Sequence, residues 1–270
     1  MINPLPKIDS LRLILPRNKV SINTEHPEFL RQLTTINEDG EILGSKVSNS
    51  YRLHSNPCSA HYLHATTIID GIAQEVIKVG FSSKTLKEKY FDGINAENIH
   101  TIYDFIIAEN VIDFSKETFL SARVVDVDIC LDITLKDSNV REVVKHAKRL
   151  SIKHKETNSN AFTKAENVGI EWGNRNKVGK SYKKKQFLKY YAKGIELKNN
   201  SVKFYDAYIK TNPVNDYINE NKLLRVETTI KNSAHWKTYG IEIRALEDLL
   251  NLNLNDCKEI FKRPLNHYLV

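Results

Sequence analysis

Residues 124–133 read VVDVDICLDI, and the alternation of apolar and polar side chains in this stretch decides the fold prediction. In a β-strand, successive side chains point to opposite faces of the sheet. One face of this strand would therefore be aliphatic, and the other would carry Asp126, Asp128, Cys130 and Asp132. Such a strand fits an antiparallel sheet that packs one face on helices and keeps the other face polar.

Other stretches of the chain show related patterns. Period-two alternation is found in KIDSLRLIL (7–15), NVGIEWGN (167–174), QFLKYYAKGIEL (186–197) and LLRVETTI (223–230). The stretch 62–81 predicts a hairpin, because Asp70-Gly71 is a favoured turn pair between β-branched flanks. Apolar residues at helical spacing predict helices at 83–91, 96–109 and 138–152 and from Ile241 to near Pro264. Residues 17–60 are predicted to be largely irregular.

These patterns predict an α+β fold with a central, mainly antiparallel β-sheet and helices on the apolar face. The polar connector 155–164 is a candidate domain boundary, but polar-faced strands lie on both sides of it. We therefore expect residues 1–270 to form one domain, with a catalytic core at about 122–240.

The composition is that of a soluble chain, with 41% hydrophobic residues and a mean hydropathy of −0.43. It has no run of about eighteen apolar residues that would predict a transmembrane helix. The start, MINPLPKIDS, lacks the charged and apolar regions of a signal peptide. Three widely spaced cysteines do not make a disulfide framework. We therefore expect a cytoplasmic protein, in a reducing compartment and without a membrane partner.

The net charge of +7 suggests a polyanionic partner, and its distribution says more than its size. No acidic residue occurs between Trp172 and Gly194. The loop 174–185 contains six cations, which are Arg175, Lys177, Lys180, Lys183, Lys184 and Lys185. A solvated loop usually mixes charges of both signs, so this loop favours contact with a phosphate backbone.

The stretch 186–197 places Tyr191 on one face of a strand, between Lys189 and Lys193, and Tyr190 on the other face. A free phenol has a pKa of about 10 and is a poor nucleophile at neutral pH. Ammonium groups on its own face favour the phenolate and balance charge on a phosphate. Every half-exposed sheet has a polar face, but carboxylates, cations and a tyrosine together suggest phosphate chemistry. Tyr190 is a competing nucleophile that we expect to pack in the core.

The order of these motifs resembles a known family. VDVDICLDI followed by NVREVVKHAKR, then GIEWGN, FLKYYAKGIEL and LLRVETTIKN, is similar to the replication initiator endonucleases of filamentous bacteriophages, of the gene II type. More distantly, it resembles the Rep_trans class of rolling-circle plasmid initiators. Each motif is short, and their order and spacing over about 122–240 carry the resemblance.

The resemblance implies a rolling-circle initiator that nicks and rejoins single-stranded or supercoiled origin DNA, in a phage or a plasmid replicon. Tyr191 would form the link to the 5′ end, with Lys193, Lys189 and Arg225 beside it. Asp128 and Glu227 would hold Mg²⁺ or Mn²⁺, with Glu171 or Asp126 as a third ligand. Host helicase and polymerase are the other partners that the resemblance implies.

Two other functions stay open at this point. A winged-helix initiator would bind origin repeats without chemistry, whereas the densest signal here lies in strands. A tyrosine recombinase would need an Arg–His–Arg set on a helical fold, which the strand setting of Tyr191 disfavours. His61 and His64, in HYLH, do not form the His-x-His pair of the well-known His-type nucleases, so we expect them to be structural or solvent-exposed.

Overall fold

The computed structural model describes residues 5–26, 32–36, 42–47, 50–52, 56–69, 71–150, 157–158, 168–173 and 187–269. The strands in these ranges are β1 (Lys7–Pro16), β2 (Ser21–Ile22), β3 (Gln32–Ile36), β4 (Ile42–Val47), β5 (Ser50–Arg52), β6 (His61–Ile69), β7 (Ile72–Ser82), β8 (Ile112–Asp113), β9 (Arg123–Thr134), β10 (Thr157–Asn158), β11 (Gly169–Trp172), β12 (Leu188–Ala192) and β13 (Leu223–Lys231).

The α-helices in the same ranges are α1 (Ile99–Ala108), α2 (Lys116–Leu120), α3 (Val140–Leu150), α4 (Lys193–Asn200), α5 (Val202–Phe204), α6 (Asn215–Asn219), α7 (Asn232–Lys237), α8 (Leu246–Leu250) and α9 (Leu254–Leu269). Two 3-10 segments, Arg17–Lys19 and Ser83–Asp92, and a π-helical segment, Tyr205–Ile209, complete the described elements.

One sheet organises the fold. Its strand order is β10-β11-β12-β13-β9-β1-β7-β6-β5, and every neighbouring pair is antiparallel. The pairs β2-β8 and β3-β4 form separate two-stranded sheets. The predicted α+β fold with a central antiparallel sheet is therefore confirmed, and the hairpin predicted over 62–81 is β6-β7.

The apolar face of the sheet forms the main core. Val127 and Ile129 of β9 are buried there with the apolar stripe of α3, which is Val140, Val144 and Ala147. Helices α1, α8 and α9 also contribute buried residues to this core. The alternation in β9 and the helical spacing in α3 thus placed the correct residues inside.

The polar face is covered at one end by a second, smaller core. Tyr90, Phe91, Leu197, Phe204 and Ile218 belong to it, and they come from the segment Ser83–Asp92 and from α4 to α6. The hydroxyl of Tyr90 accepts a hydrogen bond from Arg225, whose side chain lies on the polar face. Helices therefore pack on both faces, whereas the sequence prediction placed them on the apolar face only.

Three local predictions need correction. The strand predicted to continue to Ile195 ends at Ala192, because α4 begins at Lys193 and packs closely on α6. At Gly194, a Cβ atom would lie 2.6 Å from Cγ2 of Ile218, so only glycine permits this approach. Strands β2 to β5 occupy part of the region predicted to be irregular, and α9 continues through Pro264.

Candidate active site

Residues of the polar face lie in rows that cross neighbouring strands, because paired residues of an antiparallel ladder share a face. The first row contains Tyr191, Arg225 and Asp132. The second contains Glu171, Lys189, Glu227, Cys130 and Lys7. The third contains Thr229, Asp128, Ser10 and Ser82. The fourth contains Lys231, Asp126, Arg12, Gly80 and His61.

The Tyr191 phenol lies between a carboxylate and two ammonium groups. Its hydroxyl donates a hydrogen bond to Oε2 of Glu227 at 2.8 Å, and Nζ of Lys193 donates to the same hydroxyl at 3.5 Å. Nζ of Lys189 lies 4.0 Å from the centre of the Tyr191 ring and 3.8 Å from Oε1 of Glu227. Only 2% of the Tyr191 surface is exposed. The sequence prediction that Tyr191, Lys189 and Glu227 share one face is therefore correct, whereas Lys193 reaches the phenol from the first turn of α4.

The protonation of Tyr191 differs from the sequence expectation. Burial, and after it the Glu227 carboxylate, raise the pKa of Tyr191 well above its ordinary value, although Lys193 and Arg225 act in the opposite direction. Lys193 thus favours the phenolate, as expected, but burial and Glu227 outweigh it and keep the pKa of Tyr191 high. A nucleophilic Tyr191 needs a base that accepts its proton, and Oε2 of Glu227 is in hydrogen-bonding contact with it.

Lys193 is held by a residue that the sequence prediction did not include. Its Nζ forms a 2.7 Å ion pair with Oε2 of Glu196, one turn further along α4. Burial lowers the pKa of Lys193, but its neighbours, Glu196 first among them, outweigh burial and raise the pKa well above its ordinary value. The spacing of three residues between Lys193 and Glu196 would have indicated this pair if α4 had been predicted.

Arg225 is fully buried and its hydrogen bonds go to the protein. Its Nε and Nη2 donate to the two oxygens of Asp132 at 2.6 and 2.7 Å. Its Nη1 donates to Asp9 at 2.7 Å and to the Tyr90 hydroxyl at 2.9 Å. The place of Arg225 in the catalytic set stays a prediction, because these bonds show only which protein groups hold its side chain. Arg225 fixes the floor on which Tyr191 lies.

Asp132 and Asp9 are structural members of this cluster that sequence reasoning missed. Asp132 is 1% exposed and also pairs with Lys7 at 2.9 Å, so it is buried although it lies on the polar face. The period-two rule places Asp9 on the apolar face beside Leu11. A β-bulge between Ile8 and Ser10 changes the register at this point and lets Asp9 reach Arg225.

The predicted metal ligands are only partly brought together. Asp128 and Glu227 lie on the same face of adjacent strands, at diagonal positions. Oδ1 of Asp128 accepts a hydrogen bond from Thr229 at 2.6 Å, and its Oδ2 accepts one from Ser10 at 2.7 Å. These hard oxygen donors suit Mg²⁺ or Mn²⁺, and Mg²⁺ commonly needs only one or two carboxylates because it keeps several waters.

The predicted third ligand is not confirmed. Glu171 is separated from Glu227 by Lys189 in the second row, and Asp126 lies one row beyond Asp128. Among the residues that the structure describes, no group of three or more His, Cys, Asp or Glu side chains is arranged to hold a metal ion. A cation here would therefore depend on Asp128 and Glu227, with water or substrate oxygens in its other positions.

Tyr190 has the environment expected for a core residue. It lies on the opposite face, where its ring packs edge-on against Trp172 with the ring centres 5.2 Å apart. Burial raises the pKa of Tyr190 to about 12. The face assignment that favoured Tyr191 over Tyr190 is therefore correct. The six cations predicted to bind the DNA backbone, Arg175, Lys177, Lys180, Lys183, Lys184 and Lys185, lie outside the described residues.

No protein-family model matches the chain, and no curated protein matches its sequence. A solved structure of a rolling circle replication initiator protein from Geobacillus stearothermophilus is similar at 14% sequence identity and a TM-score of 0.36, covering 98% of this chain and 85% of the other. A similarity at this level carries no functional argument. No helix in the described part of the chain has the length and apolarity needed to cross a bilayer.

Proposed function

We propose that this protein is a rolling-circle DNA replication initiator that nicks and rejoins origin DNA through Tyr191. One observation carries the proposal: the Tyr191 hydroxyl is bonded to Glu227 and contacted by Lys193, with Lys189 over its ring. A nucleophile, a proton acceptor and cations for a phosphate thus meet at one side of the sheet, and Glu227 lies one row away from Asp128. These are the parts that phosphoryl transfer to a tyrosine requires.

The reaction forms one phosphorus–oxygen bond and breaks another. Oη of Tyr191 attacks the phosphorus, and its proton passes to Oε2 of Glu227. The bond from phosphorus to the 3′ oxygen breaks, and that oxygen receives, through water, the proton that Glu227 accepted. The products are a 5′-phosphotyrosyl link and a free 3′ hydroxyl, which primes synthesis. In the reverse reaction a 3′ hydroxyl attacks the link and closes the strand, so no external energy source is needed.

The two lysines have different roles in this proposal. The side chain of Lys189 is 23% exposed, so it can move from the Tyr191 ring towards an incoming phosphate. Lys193 is 4% exposed and tied to Glu196, so it stays in place and stabilises negative charge on the tyrosine oxygen. Arg225 acts indirectly, because it orders the strands beneath the site.

A divalent cation, Mg²⁺ or Mn²⁺, would be held by Asp128 and Glu227. When bound, it would act as a Lewis acid on the scissile phosphate. Ser10 and Thr229 orient the Asp128 carboxylate through its two hydrogen bonds.

The direct test uses overlapping single-stranded oligonucleotides that cover the replicon encoding this chain. Each is mixed with the protein and Mn²⁺, and the mixture is resolved under denaturing conditions. We expect one oligonucleotide to give a covalent adduct, with the 5′ phosphate mapped to Tyr191 by mass spectrometry and a free 3′ hydroxyl on the other fragment. An adduct on another residue, or on the 3′ phosphate, would refute the mechanism.

The basic loop 174–185 is proposed to hold the phosphate backbone without reading sequence. Each neutralised phosphate contributes about 0.7–0.9 to the slope of log affinity against log salt concentration. Replacing Lys183, Lys184 and Lys185 with alanine should weaken binding to every DNA sequence and flatten this slope. An unchanged slope would show that the loop does not contact the backbone.

One observation favours a second candidate, an origin-binding initiator without chemistry. Tyr191 is only 2% exposed and its pKa is raised, so it is not poised as a free phenolate. A protein of this second kind would bind one oligonucleotide of the set selectively but would form no adduct with it. The same experiment therefore separates the two functions.

A further inference from the structure

A cavity of about 270 Å³ opens on the polar face, where β9, β1, β7 and β6 run side by side. Its lining is mainly polar and includes Ser10, Arg12, Ser82 and Asp126. The proposed nicking reaction does not use this cavity. Three of its features identify a ligand.

The first feature is continuity with the candidate active site. Ser10 lines the cavity and also donates its hydroxyl hydrogen bond to Asp128. Asp126 is the residue of β9 that follows Asp128 on the same face, towards the strand's N-terminal end. At about 3.4 Å per residue, the row of Asp126 lies roughly 14 Å along the strands from the row of Glu227. A DNA strand that occupies the active site can therefore reach the cavity within a few nucleotides.

The second feature is the position of Arg12, whose side chain is exposed. Its Nε lies 3.8 Å from the place that a Cβ atom on Gly80 would take, so the side chain extends across β7. Among the described residues, Arg12 forms neither an ion pair nor a side-chain hydrogen bond. Its guanidinium group is therefore available to a ligand in the cavity.

The third feature is Asp126, which faces Arg12 in the fourth row. Its Oδ1 is buried and has no hydrogen-bond partner in the described part of the chain. A buried acceptor without a donor is destabilising, so a ligand that supplies an N–H group gains more here than at a solvated carboxylate. The same carboxylate would repel a phosphate, which argues against a plain anion site.

We infer that this cavity binds a guanine base of the single-stranded substrate, a few nucleotides from the nicked bond. The inference deepens the proposed function and rests on it for the substrate class. Guanine offers two acceptors, O6 and N7, to an arginine fork, which is the commonest specific contact between a side chain and a base. It also offers N1–H and an amino group to the Asp126 carboxylate. In a single strand these edges are accessible, and the cavity would thus select the nicking position.

The test measures binding only, with the Tyr191→Phe protein, so that no nicking occurs. Fluorescence anisotropy measures the affinity of the protein for a fluorescein-labelled oligothymidylate of nine nucleotides and for the same strand with one central guanine. We expect the guanine strand to bind about ten-fold more tightly. A central adenine, a central cytosine or a central 7-deazaguanine, which lacks the N7 acceptor, should each give less than half of the gain in binding free energy that guanine gives over oligothymidylate.

Four variants locate the preference. Arg12→Ala and Asp126→Asn should each remove most of it, and in Arg12→Ala the difference between guanine and 7-deazaguanine should vanish. Arg12→Lys keeps the charge, so affinity for oligothymidylate should be unchanged while the guanine preference falls. Arg141→Ala, which removes an exposed arginine from α3 on the other side of the sheet, is the matched control and should keep the preference.

Equal affinity of the Tyr191→Phe protein for all bases, or a guanine preference that survives both Arg12→Ala and Asp126→Asn, would overturn the inference. A stronger preference for another base would overturn it as well. Because the assay needs no chemistry, its failure differs from the failure of nicking: the adduct experiment on the parental protein decides the latter alone.

Discussion

Each end of the polar face contains an arginine and an aspartate on neighbouring strands. They are buried and bonded to each other at one end, but not bonded to each other at the other end. At the covered end, under the second core, Arg225 is bonded to Asp132, Asp9 and Tyr90 and is shielded from solvent. At the open end, Arg12 is exposed, and Asp126 has a buried oxygen without a hydrogen-bond donor in the described residues. Tyr191 lies beside Arg225 in the first row, at the covered end, and Glu227 lies in the second row, one step towards the open end.

This difference teaches how one sheet face can both stabilise the fold and bind a ligand. A buried charge must be paired, and removing one partner of a buried pair is strongly destabilising. An exposed cation costs little to leave unpaired, so it can be kept for a substrate. The covered end therefore fixes the strands and holds the nucleophile, and the open end is available to DNA.

The largest expected effect concerns Tyr191, the nucleophile at the covered end. Tyr191→Phe removes the attacking oxygen and keeps the ring under Lys189, so nicking and the covalent adduct should fall below detection. The fold and the affinity for DNA should be retained. Tyr190→Phe makes the same chemical change on the core face and should keep nicking largely intact. If the adduct survives in Tyr191→Phe and is lost in Tyr190→Phe, the nucleophile is Tyr190.

The second comparison contrasts two arginines. Arg225→Ala leaves Asp132 and Asp9 without their main partner, so the free energy of unfolding should fall by about 3–5 kcal/mol. Arg12→Ala, at the open end, should change it by less than about 0.5 kcal/mol. Urea denaturation of both variants measures the difference. Equal losses of unfolding free energy would show that Arg12 supports the fold as much as Arg225 does.

A third prediction concerns pH at the covered end. Burial, the largest single influence, raises the pKa of Asp132, but Arg225 and Lys7 together outweigh it, and the net pKa lies below the ordinary value. A carboxyl group with a depressed folded pKa stabilises the protein above its unfolded pKa of about 3.9, and this contribution is lost as pH falls through the folded pKa.

Asp132→Asn should therefore be less stable than the parent at pH 6, and the difference in unfolding free energy should narrow as pH falls below about 4. Asp216→Asn, the same change at an exposed position, should show no such narrowing. A constant difference between the parent and Asp132→Asn down to pH 3 would contradict the assigned pairing.

The strands and their faces were readable from the sequence because period two is a local property. Asp128, Glu227 and Tyr191 were placed on one face from alternation alone, and the register of β12, β13 and β9 confirms this. The partners of Arg225 were not readable, because Asp132 and Asp9 are 93 and 216 residues away in the chain. No local pattern encodes such a pairing.

Two further misses have local causes. The bulge between Ile8 and Ser10 inserts one residue into β1, so strict alternation assigned Asp9 to the wrong face. The start of α4 at Lys193 was not predicted, because the side chains of 186–197 alternate with period two, as they would in a continuous strand. In that case the tertiary contact of Gly194 with Ile218 accompanies the change from strand to helix.

The smallest expected effect tests where the covered end gives way to the open end, through the two hydroxyls that donate hydrogen bonds to Asp128. Thr229 is fully buried, so Thr229→Val, which keeps the shape of the side chain, leaves Oδ1 of Asp128 without this donor in a dry environment. The cost should be about 1–3 kcal/mol of unfolding free energy. Ser10 lines the open cavity and is only partly buried, so in Ser10→Ala a water can take over the bond to Oδ2. The loss there should be below about 1 kcal/mol. Urea denaturation of the two variants measures both values. A cost for Ser10→Ala equal to or above that for Thr229→Val would show that the covered end extends past Asp128 into the cavity.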